Sequence, residues 1–228
     1  MTVRRCVIAL SLILGTVTPA VAQTPSRPAQ APAEAESAPV SRGYLGMISG
    51  VQDVARREAL LGLEFGVRLR KNLFVAVEAG RLADVVTQSR LDEVAFYAAF
   101  VQRTRGVTAT GDITGPTLFA LANLKYTYEK GWQGLRPYVL AGAGIARVEF
   151  KPEFQVDGQT VVGGISTYGI TLGKDLLGTT NRVAWGGGAG ITSGDKWFLD
   201  LGLRVTRIQT TDHPTLVYRA HGGIGVRF

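Results

Sequence analysis

The sequence predicts an all-β chain folded as an eight-stranded antiparallel transmembrane β-barrel, with a short helix in an extracellular loop. Three observations predict it. The final stretch carries Leu216, Tyr218, Ala220, Gly222, Ile224, Val226 and Phe228 on one face, and Val217, Arg219, His221, Gly223, Gly225 and Arg227 on the other. Side chains alternate with period two along a strand, so this strand lies between two different solvents. The same contrast recurs along the chain, and its polar face is rich in glycine: Gly62, Gly66, Gly186, Gly188, Gly190, Gly202, Gly223 and Gly225. A solvated strand surface favours Thr, Lys or Glu. A narrow lumen favours glycine beside charge, because small barrels fill their interiors with side chains. Aromatics also collect near strand ends, at Tyr126, Tyr128, Tyr138, Trp197, Tyr218 and Phe228, as interfacial girdles do. A soluble sandwich or lipocalin-like barrel alternates in the same way and is the competing fold.

The chain opens with Arg4 and Arg5, an apolar run from Cys6 to Leu14, and Ala20-Val21-Ala22 before Gln23. This pattern predicts a secretory signal peptide over 1–22. The run falls short of the ~20 residues of a helical span. The single cysteine, Cys6, lies inside it, so a mature chain has no disulfide and no thiolate metal site. Of 25 Lys+Arg and 18 Asp+Glu, loss of Arg4 and Arg5 leaves 23 against 18, a net charge of +5. That balance suits anionic lipid head groups. Basic clusters interleaved with exposed aromatics are absent, so nucleic acid is not an expected partner. Residues 23–42 are rich in Pro, Ala and Ser and predict a disordered linker. Residues 43–228 suffice for one barrel domain, and no run of eighteen apolar residues interrupts them.

Eight strands follow in order, each near the ~10 residues a tilted barrel strand needs. Gly43–Val51 has poorly distinguished faces. Ala59–Arg70 is the clearest: Leu61, Leu63, Phe65, Val67 and Leu69 oppose Gly62, Glu64, Gly66, Arg68 and Arg70. In Leu73–Leu82, Glu78 opposes Val75, Val77 and Ala79. Thr117–Tyr128 sets Leu118, Ala120, Ala122, Leu124, Tyr126 and Tyr128 against Asn123 and Lys125. Tyr138–Phe150 and Arg182–Thr192 come next. From Trp197, alternate Leu199, Leu201, Leu203 and Val205 oppose Asp200, Arg204 and Thr206. The terminal strand closes the series. The connections at 71–72, 129–136 and 193–196 are short, whereas 83–116 and 151–181 are long. Short periplasmic turns and longer extracellular loops are the membrane-barrel pattern.

Within the first long loop, Ser89–Arg105 breaks the strand pattern. Ser89 with Asp92 resembles a capping box. Asp92 and Glu93 then fall in the first turn and Arg103 and Arg105 in the last, as the helix dipole prefers. Val94–Val101 is apolar all round, which predicts a buried helix; a strand extension is the alternative. The 151–181 loop has strand-like pieces and glycine turns and predicts an outward hairpin.

The terminal strand, with Tyr218, Ile224, Val226 and Phe228, resembles the assembly signal of bacterial outer-membrane barrels. Residues 43–228 are similar to the small outer-membrane β-barrel family that includes the OmpA transmembrane domain and OmpX-like proteins. Arg136–Gly144 and Ala220–Phe228 are segments of the kind seen there. The resemblance implies a monomer in the bacterial outer membrane, in contact with outer-membrane lipid and lipopolysaccharide and inserted by the barrel assembly machinery. It implies no cofactor. The peptidoglycan-binding domain that often follows an OmpA-type barrel is not expected here.

Enzymatic motifs are incomplete. Gly142-Ala143-Gly144 lacks the third glycine of a dinucleotide fingerprint, since Arg147 stands there. Gly173-Lys174-Asp175 lacks the Ser/Thr of a P-loop, and Gly164-Ile165-Ser166-Thr167-Tyr168 lacks the second glycine of a nucleophile elbow. His213 and His221 are not at a metal-ligand spacing. A lipid A deacylase-like barrel needs a serine two residues after its wall histidine, and Gly223 follows His221 at that offset. The remaining constellation is a set of inward charges: Glu64, Arg68, Glu78, Lys125, Arg147, Asp200, Arg204, Arg219 and Arg227. Unpaired charges in a narrow lumen are costly, which predicts paired networks. These read as a structural plug, or alternatively as a gate that swaps partners. The chain is therefore expected to be non-enzymatic, with a structural or surface-interaction role; a narrow pore for ions or small solutes is the alternative.

Overall fold

The computed structural model describes residues 42–128, 134–161, 165–173, 176–210 and 214–228. The expected signal peptide, the linker up to residue 41, His213 and most of the 129–136 turn lie outside the described residues.

Eight strands form the wall: β1 (Gly43–Asp53), β2 (Arg57–Arg70), β3 (Leu73–Leu82), β5 (Thr117–Thr127), β6 (Leu135–Val156), β8 (Gly178–Ser193), β9 (Trp197–Ile208) and β10 (Thr215–Arg227). Each pairs antiparallel with its neighbour in chain order, and β10 pairs back onto β1 from Tyr44↔Arg227 to Asp53↔Tyr218. The ring is closed, so no wall strand leaves an edge of unpaired backbone groups. The closure is tied at the chain end, where the Phe228 carbonyl accepts the amides of Arg42 and Gly43 at 2.6 and 2.9 Å. Of the terminal residues, Tyr218, Ile224 and Phe228 face outward and are exposed, and Phe228 stacks on Phe65 at 6.4 Å.

Burial alternates residue by residue. Leu203 is 67% exposed and the next residue, Arg204, only 3%. The outer wall is a belt of Leu, Val, Phe and Ala, while charge is turned inward. No helix among the described residues is long and apolar enough to cross a membrane; the strands do the crossing.

Two short strands lie outside the ring. β4 (Ala109–Thr114) pairs with the outer end of β6, Lys151–Val156, and β7 (Gln159–Val161) pairs with Phe154–Val156 through the Asp157-Gly158 turn. Asp157 (φ 50°) and Gly158 (φ 78°) are both left-handed, as a two-residue hairpin turn requires. This is the outward hairpin expected in 151–181. The strand β4 was not anticipated, because Thr108–Thr114 alternates only weakly.

Helix α1 spans Gln88–Arg105, one residue longer at its start than the expected helix. Its N-cap is Thr87 and makes no side-chain cap bond, so Ser89 and Asp92 do not form a capping box. Asp92 and Glu93 fall beyond the first turn, which holds no acidic residue; Asp92 instead accepts a bond from Gln88 at 2.9 Å. Gly106 closes the helix in a left-handed conformation (φ 68°). The helix is buried on one side only. Val94, Ala98 and Val101 pack into the core, whereas Phe96 is 65% and Phe100 49% exposed. An apolar stretch this short packs on what β4 and β6 offer it, and they cover one face.

The main apolar cluster is continuous from the upper lumen into this cap. It joins Leu60, Leu82, Phe119 and Val217 inside the barrel to Val94, Val101, Ile113, Phe154 and Ile165 above it.

Candidate functional site

Below that cluster the lumen is polar, and its residues arrive there by strand parity. Even positions of β2, β3 and β9 and odd positions of β5 and β10 point inward. Glu64 and Glu78 are therefore direct cross-strand partners on β2 and β3. Arg204 and Arg219 are direct cross-strand partners on β9 and β10. Like charges placed opposite each other repel. Here each like-charged pair faces the other across the lumen.

The contacts form one alternating series. Asp200 Oδ2 lies 3.4 Å from Lys125 Nζ, which donates to Glu64 Oε1 at 2.8 Å. Arg204 Nη2 donates to Glu64 Oε2 at 2.5 Å, and its Nη1 pairs with Glu78 Oε2. Arg219 Nη1 donates to Glu78 Oε1 at 2.7 Å, and its Nη2 donates to Thr206 Oγ1 at 2.9 Å. Three carboxylates thus meet three cations, and all six residues are buried. Neutral partners complete the set. Tyr44 donates to Glu64 Oε1 at 2.6 Å, and Tyr138 donates to Asp200 Oδ1 at 2.7 Å. His221 Nε2 lies 3.2 Å from that same oxygen. The Tyr138 ring also sits under Lys125 Nζ at 4.1 Å.

Glycine makes room for this layer. A Cβ on Gly66 would meet the Tyr44 ring at 2.2 Å, and one on Gly190 the Tyr138 hydroxyl at 2.5 Å. On Gly202 a Cβ would strike His221 at 2.6 Å. At Gly66, Gly190 and Gly202 the glycine is thus the negative imprint of the large polar side chains beside it.

Of the nine expected inward charges, six form this layer. Arg68 and Arg227 also face inward but sit below it at the periplasmic mouth, over Phe74 at 5.1 Å and Phe198 at 4.7 Å. Arg227 donates to Thr192 Oγ1 at 3.2 Å and to the carbonyls of Gly194 and Asp195. Arg147 is a correction. It shares odd parity on β6 with Val139 and Ile145, and it is exposed on the outer wall. Tyr138 is the converse correction. It belongs to no girdle; it lies on the even, inward face of β6 and is 2% exposed. Arg204 finds both its carboxylate partners across the lumen, whereas Asp200 is met both across the lumen by Lys125 and Tyr138 and on the adjacent strand by His221.

Among the described residues no group of three His, Cys, Asp or Glu is placed to hold a metal ion. Two residues after His221 stands Gly223, and a Cβ on Gly202 would meet the His221 ring.

A closed ring of eight strands, apolar outside and charged within, defines a transmembrane β-barrel of the bacterial outer membrane. The chain belongs to the outer membrane protein beta-barrel domain family, whose pattern matches residues 7–228. Among solved structures it is similar to a major outer membrane protein from Thermus thermophilus, at 11% identity and TM-score 0.50 over 82% of this chain and 99% of that one. It is also similar to the Neisserial surface protein A, at 12% identity and TM-score 0.49 over 82% and 96%. A third is the outer membrane enzyme PagL, at 13% identity and TM-score 0.42 over 81% and 99%. At this identity the first of these likenesses shows the fold alone. Comparison with curated proteins gives no match.

Proposed function

We propose that the protein is a non-enzymatic, non-conducting barrel that anchors and presents its cap at the cell surface. One observation carries this reading: the lumen is blocked twice. The charge layer from Asp200 to Arg219 crosses it at mid-height, and the cluster from Leu60 to Ile113 fills it above. Each carboxylate of the layer already has a cation, so an ion entering would have to displace a buried pair, and breaking one is strongly unfavourable. The presented surface is α1, β4 and the β6–β7 hairpin, with Phe96 and Phe100 outward on α1. A monomer fits, because the ring closes on itself. The signal peptide, the assembly machinery that would read Tyr218, Ile224, Val226 and Phe228, and surrounding lipopolysaccharide belong to this reading as its route and setting.

Single-channel recording in planar bilayers tests it. The wild type is expected to give no steady conductance, while simultaneous Glu64→Ala, Arg204→Ala and Val94→Ser changes leak. Stable ohmic steps from the wild type would replace this reading with a narrow pore for ions or small solutes.

A further inference from the structure

Helix α1 presents a face that its own packing does not explain. Val94, Ala98 and Val101 turn into the cap, whereas Phe96 and Phe100 turn out. At the usual helical pitch, Glu93, Phe96, Phe100 and Arg103 fall within an arc of about 80°, on the side away from those three buried residues. All four are exposed. On the wall an exposed apolar side chain meets lipid, but α1 belongs to the cap. Two outward aromatics one turn apart make a contiguous apolar patch there, and such patches mark contact surfaces. An acid toward the start of the helix and a base toward its end also suit the helix dipole. That accounts for neither ring.

The face is complementary to itself. Phe96 and Phe100 stand two residues either side of Ala98, and Glu93 and Arg103 stand five either side. A second α1 laid antiparallel, with the two-fold axis at the level of Ala98, sets Phe96 against the second copy's Phe100. It also sets Glu93 against the second copy's Arg103. Each contact then occurs twice, as an isologous interface requires. Among the described residues neither Glu93 nor Arg103 has an ion pair within its own chain, so both are open to such a partner. A parallel copy would set Glu93 on Glu93 and Arg103 on Arg103. The order of charges therefore selects the antiparallel copy.

We infer that α1 is a self-association surface, on which a second copy of this chain pairs cap to cap. This rests on the presented cap proposed above and names its partner. The monomeric ring is unaltered, since two complete barrels meet by their caps alone. One helix face from each copy makes a small interface, of the class of transient contacts. Pairing is therefore weak and depends on protein concentration.

Sedimentation of the folded protein in density-matched detergent, over a range of protein concentrations, tests it. The wild type is expected to pass from monomer to dimer as concentration rises. Glu93→Arg and Arg103→Glu should each weaken self-pairing about tenfold, because each sets like charges together at both ends of the interface. Mixed in equal amounts, these two variants should pair with each other, since every contact is again between opposite charges. Gln102→Glu, exposed on α1 but outside the arc, should pair like the wild type. Phe96→Ser with Phe100→Ser should abolish pairing. Retained heat-modifiable gel mobility identifies the folded species compared. A wild type that stays monomeric at every concentration overturns the inference. So does undiminished self-pairing of both charge variants, which would mark apolar contact without register. Conductance by the wild type would instead remove the sealed-anchor reading and leave the pairing standing.

Discussion

The middle of the lumen and the cap above it are both closed to solvent, but by opposite chemistry. In the middle, Glu64, Glu78 and Asp200 are matched to Lys125, Arg204 and Arg219, with Tyr44 sharing a Glu64 oxygen with Lys125 and Tyr138 and His221 on the second Asp200 oxygen. In the cap, Val94, Val101, Ile113, Phe154 and Ile165 pack on one another and on neighbouring hydrocarbon. The cap's ion pair between Arg56 and Asp112 lies on its surface. An apolar cluster needs roughly the right volume and tolerates exchange. A buried charge layer needs each partner in place, because a removed cation strands a carboxylate that cannot reach water. The two regions should therefore answer very differently to mutations of similar size.

The largest effect is expected at Arg204, which contacts both Glu64 and Glu78. Those carboxylates are direct cross-strand neighbours, and Arg204→Leu leaves them facing each other with one fewer cation. A loss of about 3–5 kcal/mol is expected, the usual cost of breaking a buried pair from one side. Adding Glu78→Gln should recover part of it. Urea unfolding in liposomes measures both. An Arg204→Leu protein as stable as the wild type would mean that the layer is hydrated and does not hold the wall.

The cap should be more forgiving. Ile113, on β4, is fully buried in the apolar cluster that includes Val94 and Val101 of α1. Ile113→Val removes one methylene and should cost about 0.5–1.5 kcal/mol. Amide hydrogen exchange on β4 reads it, because the cap can open without unfolding the ring. If Ile113→Val cost as much as Arg204→Leu, the cap would be as exacting as the charge layer and the comparison would fail.

How much of this was legible in the sequence follows from the same contrast. The ring was legible because membrane and lumen impose period two on every crossing strand, most clearly on β2. The inward charges of β2, β3, β5, β9 and β10 were legible for that reason. Arg147 and Tyr138 were not, because β6 alternates small with small from Ala141 to Gly144, and its phase is faint. The partners within the layer could not be read either. Pairing across a lumen depends on ring order and tilt, which bring β2 opposite β9, and no spacing along the chain records that. The cap was least legible. Its strand β4 gains meaning only from the overrun of β6 beyond the membrane, and α1 is amphipathic only relative to β4, not in its own periodicity.

The smallest effect is expected at the cap's surface pair, and it sharpens the contrast between buried and exposed charge. Arg56 Nη2 donates to Asp112 Oδ1 at 2.6 Å, and both side chains are about half exposed, at 41% and 54%. The Arg56 hydrogen bond holds the Asp112 carboxyl below its ordinary value, opposed by slight burial and aided by the Ile113 amide. A carboxyl with a lowered folded value adds stability that is present above the unfolded value, about pH 4 for Asp. That stability is lost as pH falls through the folded value. At neutral pH, Arg56→Ala should therefore loosen β4 by no more than about 0.2–1 kcal/mol, since water and salt screen an exposed pair. The difference between wild type and variant should shrink below about pH 4 and in high salt. Amide exchange at Ile113 and Thr114, followed from neutral to acid pH, gives the comparison directly. A difference that survives full protonation of Asp112 would show that Arg56 acts through packing of its side chain and not through its charge.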